Sequence, residues 1–87
     1  MEISSFRNSS IYYDELRDLK VLILKYMWYY EANHYFSFAK KCKTSIARNM
    51  SNELANAIIQ YDPKKQFEEK VKEKFQETIN LIDLLIK

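Results

Sequence analysis

Eighty-seven residues with a formal net charge of +2 make one domain, near the lower limit at which a single hydrophobic core sustains a fold. The chain holds no glycine, one proline and one cysteine. That composition excludes an internal disulfide, a glycine-rich phosphate loop and a nucleophile elbow, and it favours long helices with short connections.

The expected fold is all-α: a three-helix bundle of elongated antiparallel helices, one domain over residues 1–87, with residues 1–10 flexible. The N-terminus lacks the apolar core of a secretory signal, and Glu2, Asp14 and Glu15 argue against a transit peptide. A first helix is predicted over about Ile11–Asn33, with Ser10 as N-cap, Asp14 and Glu15 near the positive end of its dipole, and Asn33 ending it. Its length would be about 35 Å. Leu16, Leu19, Ile23, Tyr26 or Met27, and Tyr30 form one apolar stripe, and Val21, Leu24, Trp28, Ala32 and Tyr35 form a second beside it. Two other helices can cover only one stripe, so the second is expected to line a groove or meet another molecule. Lys25, Glu31, Asn33 and His34 interrupt the apolar stretch and argue against a membrane span.

Seven of the thirteen aromatic residues fall between Tyr26 and Phe38, and all the positive excess follows directly. Within residues 40–60, Lys40, Lys41, Lys43 and Arg48 stand against Glu53 alone. A second helix is predicted from Ser37 or Phe38 to Gln60, with Phe38, Cys42, Ile46, Met50, Leu54 and Ile58 on its buried side. Lysines in its first turns would oppose the helix dipole, which suggests an acidic partner. Continuing the first helix through this region would remove that cost. A third helix is predicted to open with Asp62 as N-cap and Pro63 at its first position. Phe67, Val71, Phe75, Ile79, Ile82 and Leu85 form its stripe, and Glu68 to Lys72 is a favourable pair on its solvated face.

The inventory for catalysis is nearly empty. His34 is the single histidine and Cys42 the single thiol, and each reads as a packing or surface residue before a ligand or nucleophile. No metal site and no cofactor of its own are expected, and the chain reads as a protein that is bound rather than an enzyme.

The run Val21-Leu22-Ile23-Leu24-Lys25-Tyr26, then Ala32-Asn33, the aromatics Tyr35 and Phe38, and Asp62-Pro63-Lys64 resemble the LYR-motif family. Within it they are most similar to the small accessory subunits of the mitochondrial cysteine desulfurase. The resemblance covers roughly residues 21–80, with the aromatic and basic positions of the signature exchanged in Leu24-Lys25-Tyr26. It implies a three-helix, non-catalytic adaptor of the mitochondrial matrix that binds acyl carrier protein and stabilises the desulfurase for iron–sulfur cluster assembly. The partner's acyl-phosphopantetheine arm would enter an apolar channel. By position, Lys25 and Tyr26 would stand at the signature and Lys41 at a family arginine. The charge map adds Lys40, Lys43 and Arg48. Leu24, Trp28, Ile46 and Met50 are candidate channel-wall residues. The alternative is a small basic bundle that binds another protein, nucleic acid or a membrane surface.

Overall fold

A computed structural model describes residues 2–25, 31–64, 66 and 68–86, with the backbone alone for 2–10. Among these residues the chain is all-helical and holds no strand: α1 Glu2–Lys25, α2 Ala32–Lys41, α3 Ser45–Tyr61 and α4 Glu69–Leu85. Helix α1 packs on α3 and α4, α3 packs on α4, and α2 lies against α3. The molecule measures 49 × 23 × 18 Å.

The predicted stripes form the core. Leu16, Leu19 and Ile23 of α1, Leu54 of α3, and Phe75 and Ile82 of α4 are all completely buried. Val71 and Ile58 are nearly so, and Ile46, Phe38 and Leu85 pack half-buried against the cluster. The second stripe of α1 divides. Tyr35 is fully buried, its ring 5.7 Å from that of Phe75, so it belongs to the core rather than to a groove. Val21 and Leu24 remain 62 % and 54 % exposed. Tyr26, Met27, Trp28, Tyr30 and Phe67 lie outside the described residues.

The helix boundaries differ from the sequence reading at four places. Helix α1 begins at Glu2, so Ser10 sits inside it and is not an N-cap. The helix expected to reach Asn33 is interrupted at Glu31, whose extended backbone (φ −138°, ψ 143°) instead precedes α2, and Asn33 lies within α2.

The helix expected over residues 37–60 is two helices folded back on each other. Cys42 (ψ 136°) and Thr44 (ψ 140°) are extended, and the chain reverses across Cys42–Thr44. Ser51 Oγ then donates to the carbonyl of Tyr35 at 2.6 Å, which only an antiparallel α2–α3 hairpin allows. Ala47, Ser51 and Ala55, spaced by four on α3, are fully buried, and small side chains in a row let the two backbones approach closely. This reversal also inverts the dipole argument. Lys40 and Lys41 occupy the last turn of α2, where positive charge is favoured, so they give no sign of local strain.

The fourth difference is at Asp62. It closes α3 rather than opening α4, and it is 1 % exposed. Its carboxylate accepts the backbone N–H of Gln66 (2.7 Å) and of Glu68 (3.3 Å), which organises the connection and delays α4 to Glu69. Asp62 still serves orphan backbone donors, but those of a loop. With Glu68 at the N-cap, the ion pair of Lys72 is with Glu69 at 3.9 Å, not with Glu68. Ion pairs Lys20–Asp83 (2.6 Å) and Lys74–Glu53 (3.1 Å) tie α1 and α3 to opposite sides of α4.

Candidate functional site

The α2–α3 reversal is built from α1. Helix α3 carries no acidic residue in its first turn, and Thr44 at its N-cap makes no side-chain capping bond within the helix. Glu15 of α1 supplies both functions. Its carboxylate accepts the backbone N–H of Lys43 (2.6 Å) and of Thr44 (3.0 Å), and the hydroxyl of Thr44 (2.5 Å). Burial pushes the Glu15 carboxyl up, but these hydrogen bonds and the Lys43 charge outweigh it and hold the group below its ordinary 4.5. A negative charge thus sits at the positive end of α3 without being part of it.

The basic residues gather around this turn but not on one face. Lys40 and Arg48 share the cleft between α2 and α3, about 680 Å³, with Asn33 and Asn52 on its walls and Phe36, Ala39 and Cys42 completing the lining. Arg48 is anchored there by an Nη2 bond to the Cys42 carbonyl at 3.1 Å. Lys41 points to the other side of α2, into a small cleft shared with Glu15, Asp18, Phe38 and Cys42. Lys43 is exposed on the turn itself.

Leu24 and Lys25 of the signature lie elsewhere, near the end of α1. Glu15 meets the turn while Leu22 lies beside His34, Ser37, Phe38 and Lys41, so α1 and α2 run antiparallel. Lys25 is therefore about 15 Å further along α1 from the turn. Tyr26 and Trp28 lie outside the described residues. Of the other channel-wall candidates, Met50 is buried in the core, Ile46 packs half-buried against it, and Leu24 is exposed.

Cys42 is buried, and burial, reinforced by the Glu15 charge and only partly opposed by Arg48, pushes its thiol up to about 11. Such a thiol is a packing group, not a nucleophile. No cluster of three or more metal-ligating side chains occurs among the described residues, and no helix there is long and apolar enough to cross a membrane.

Sequence reasoning missed Asn33, Phe36 and Asn52, which line the cleft, and Glu15, which shapes it. Asn33, Phe36 and Lys40 follow three-and-four spacing, as do Arg48 and Asn52. The two sets converge only once the chain folds back at Cys42–Thr44. Compared with known proteins, the chain matches no family model, no curated protein and no solved structure.

Proposed function

We propose that this chain is a non-catalytic helical adaptor whose α2–α3 end docks on an acidic protein surface. The observation that carries the reading is the placement of Lys40, Lys43 and Arg48, all exposed, around the α2–α3 turn. Clustered, solvated cations give orientation and encounter rate to a complex, while apolar contact gives affinity. Exposed Val21 and Leu24 on α1 offer such contact.

The resemblance of residues 21–80 to the LYR-motif family supplies the partners in this proposal: an acyl carrier protein, and a cysteine desulfurase that the adaptor stabilises in the mitochondrial matrix. In that reading α2 and α3 together take the place of the family's second helix, giving a three-helix, LYR-like plan with its middle helix folded. Lys25, with Tyr26 next to it in sequence, would then contact a partner near the C-terminal end of α1.

Co-expression with an acyl carrier protein and a cysteine desulfurase, followed by native mass spectrometry, tests the proposal. A three-component complex is the expected result, and its mass reveals whether an acyl-phosphopantetheine arm is carried. Recovery of the chain alone as a stable monomer would overturn it.

A further inference from the structure

We infer that the α2–α3 cleft is a docking groove for an extended acidic peptide, which places a carboxylate between Lys40 and Arg48 and an apolar side chain on Phe36. Charge favours this cleft, where two cations from different helices converge. Lys40 and Arg48 are among its lining residues, and among the described residues no carboxylate is. On the opposite side of α2, Lys41 shares its cleft with Glu15 and Asp18, and the cleft between α3 and α4 holds Glu53 beside Lys74.

The Arg48 guanidinium is also aimed. Its bond to the Cys42 carbonyl occupies one Nη2 donor and fixes the plane of the group. The remaining N–H donors of a guanidinium suit the planar, two-oxygen face of a carboxylate.

The two carboxamides distinguish a peptide from a bare anion. Asn33 and Asn52 come from opposite helices, and each offers both a donor and an acceptor. A peptide backbone presents the matching N–H and C=O groups, whereas phosphate oxygens would leave the amide N–H groups satisfied and the amide oxygens without use. Half-buried Phe36, with Ala39 and Cys42, gives an apolar floor for one side chain. A volume of about 680 Å³ falls in the range of ligand sites generally. The inference concerns a peptide-binding mode and stands apart from the identity of the folded partners proposed above.

The test uses the full chain and a fluorescein-labelled octapeptide of alternating leucine and aspartate, followed by fluorescence anisotropy. Saturable binding is expected, lost when asparagine replaces every aspartate in the peptide. Lys40→Glu combined with Arg48→Gln should weaken it at least about tenfold. Glutamine keeps an amide donor for the Cys42 carbonyl, and circular dichroism on the same samples checks that the hairpin persists. Asn33→Ala with Asn52→Ala should weaken binding about threefold, and Lys64→Glu, outside the cleft, less than twofold. Three results would overturn the inference: no binding at low salt, equal losses from Lys64→Glu, or an oligouridylate that binds more tightly and displaces the peptide. Peptide binding can fail while the three-component complex forms, and hold while it does not, so the two proposals are judged separately.

Discussion

Glu15 and Thr44, twenty-nine residues apart, are joined by two hydrogen bonds, from the threonine N–H at 3.0 Å and from its hydroxyl at 2.5 Å. With the bond from the Lys43 N–H, this one carboxylate satisfies donors of the two residues that lead into α3. It is a helix cap supplied from another helix, and it fixes where the hairpin turns.

Removing it should therefore cost more than a surface substitution. Glu15→Ala is expected to destabilise the fold by about 1–3 kcal/mol in urea unfolding at neutral pH, and Thr44→Ala by about 1 kcal/mol. The sum should exceed the cost of the double variant, because both remove the bond from the Thr44 hydroxyl. The contribution of Glu15 is also pH-dependent. Its folded pKa lies below the ordinary 4.5, so the stabilisation is complete above that value and is lost as pH falls through the lower folded value. The stability gap between the parent chain and Glu15→Gln should thus be widest at neutral pH and close in acid. A gap that stays constant with pH would mean that the charge contributes nothing.

The same carboxylate bears on Cys42. Burial and the Glu15 charge raise the thiol from 9.0 to about 11, which lowers its thiolate population roughly a hundredfold at any pH below both values. A thiol of higher pKa is intrinsically more nucleophilic, so the net effect is smaller. Alkylation by iodoacetamide at neutral pH should be at least about tenfold slower in the native chain than in urea. Equal rates would show that the turn opens readily.

What the sequence made legible was what repeats locally. The spacing of Leu16, Leu19 and Ile23, and of Val71, Phe75, Ile79 and Ile82, located two core faces without any tertiary information. The reversal at Cys42–Thr44 was invisible for the same reason. Phe38, Cys42, Ile46, Met50 and Leu54 keep a spacing of four straight through the break, so periodicity reports one helix where there are two. The group that favours the break, Glu15, belongs to a different helix. The basic cluster was legible as composition, whereas its division into Lys40 with Arg48 on one side and Lys41 on the other follows from that reversal. Asp62 was expected to be the N-cap of the last helix but closes α3 and holds the connecting loop, because an aspartate before proline serves a turn as readily as an N-terminus.

The small-residue row of α3 is a second device of the hairpin. Ala47, Ser51 and Ala55 have no exposed surface. Ala55→Leu should force α2 away and destabilise the fold by about 1–3 kcal/mol. Asn56→Leu, exposed on the same helix, should change stability by no more than about 0.5 kcal/mol. Ser51→Ala removes only the bond to the Tyr35 carbonyl and should cost about 1 kcal/mol. Equal effects of Ala55→Leu and Asn56→Leu would contradict close α2–α3 packing.

The two neighbouring lysines of α2 should respond differently to charge reversal. Both sit in its last turn, so reversing either one opposes the dipole by a few tenths of a kcal/mol. Lys41→Glu adds repulsion from Glu15 and Asp18, which share its cleft. It should cost about 0.5 kcal/mol more than Lys40→Glu at low ionic strength. The difference should vanish near 1 M salt, where screening is nearly complete. Lys40→Glu is consequently the cleaner variant for binding experiments, since a loss of affinity there is less easily confused with a loss of fold.

At the other end of α3, Asp62 is 1 % exposed and its carboxylate accepts backbone N–H groups from Gln66 and Glu68. Asp62→Ala would leave both donors without this acceptor, at an expected cost of about 1–3 kcal/mol. Asp62→Asn retains one carbonyl oxygen but replaces the other with a donor that faces donors. It should recover less than half of the loss. Hydrogen exchange separates this from a general loosening. Protection should fall first at Gln66, Glu68 and the opening turn of α4, where Val71 and Lys72 donate to the Glu68 carbonyl at 3.1 Å each. If protection fell equally across α1 and α3, Asp62 would be acting on the whole core and not on the start of α4.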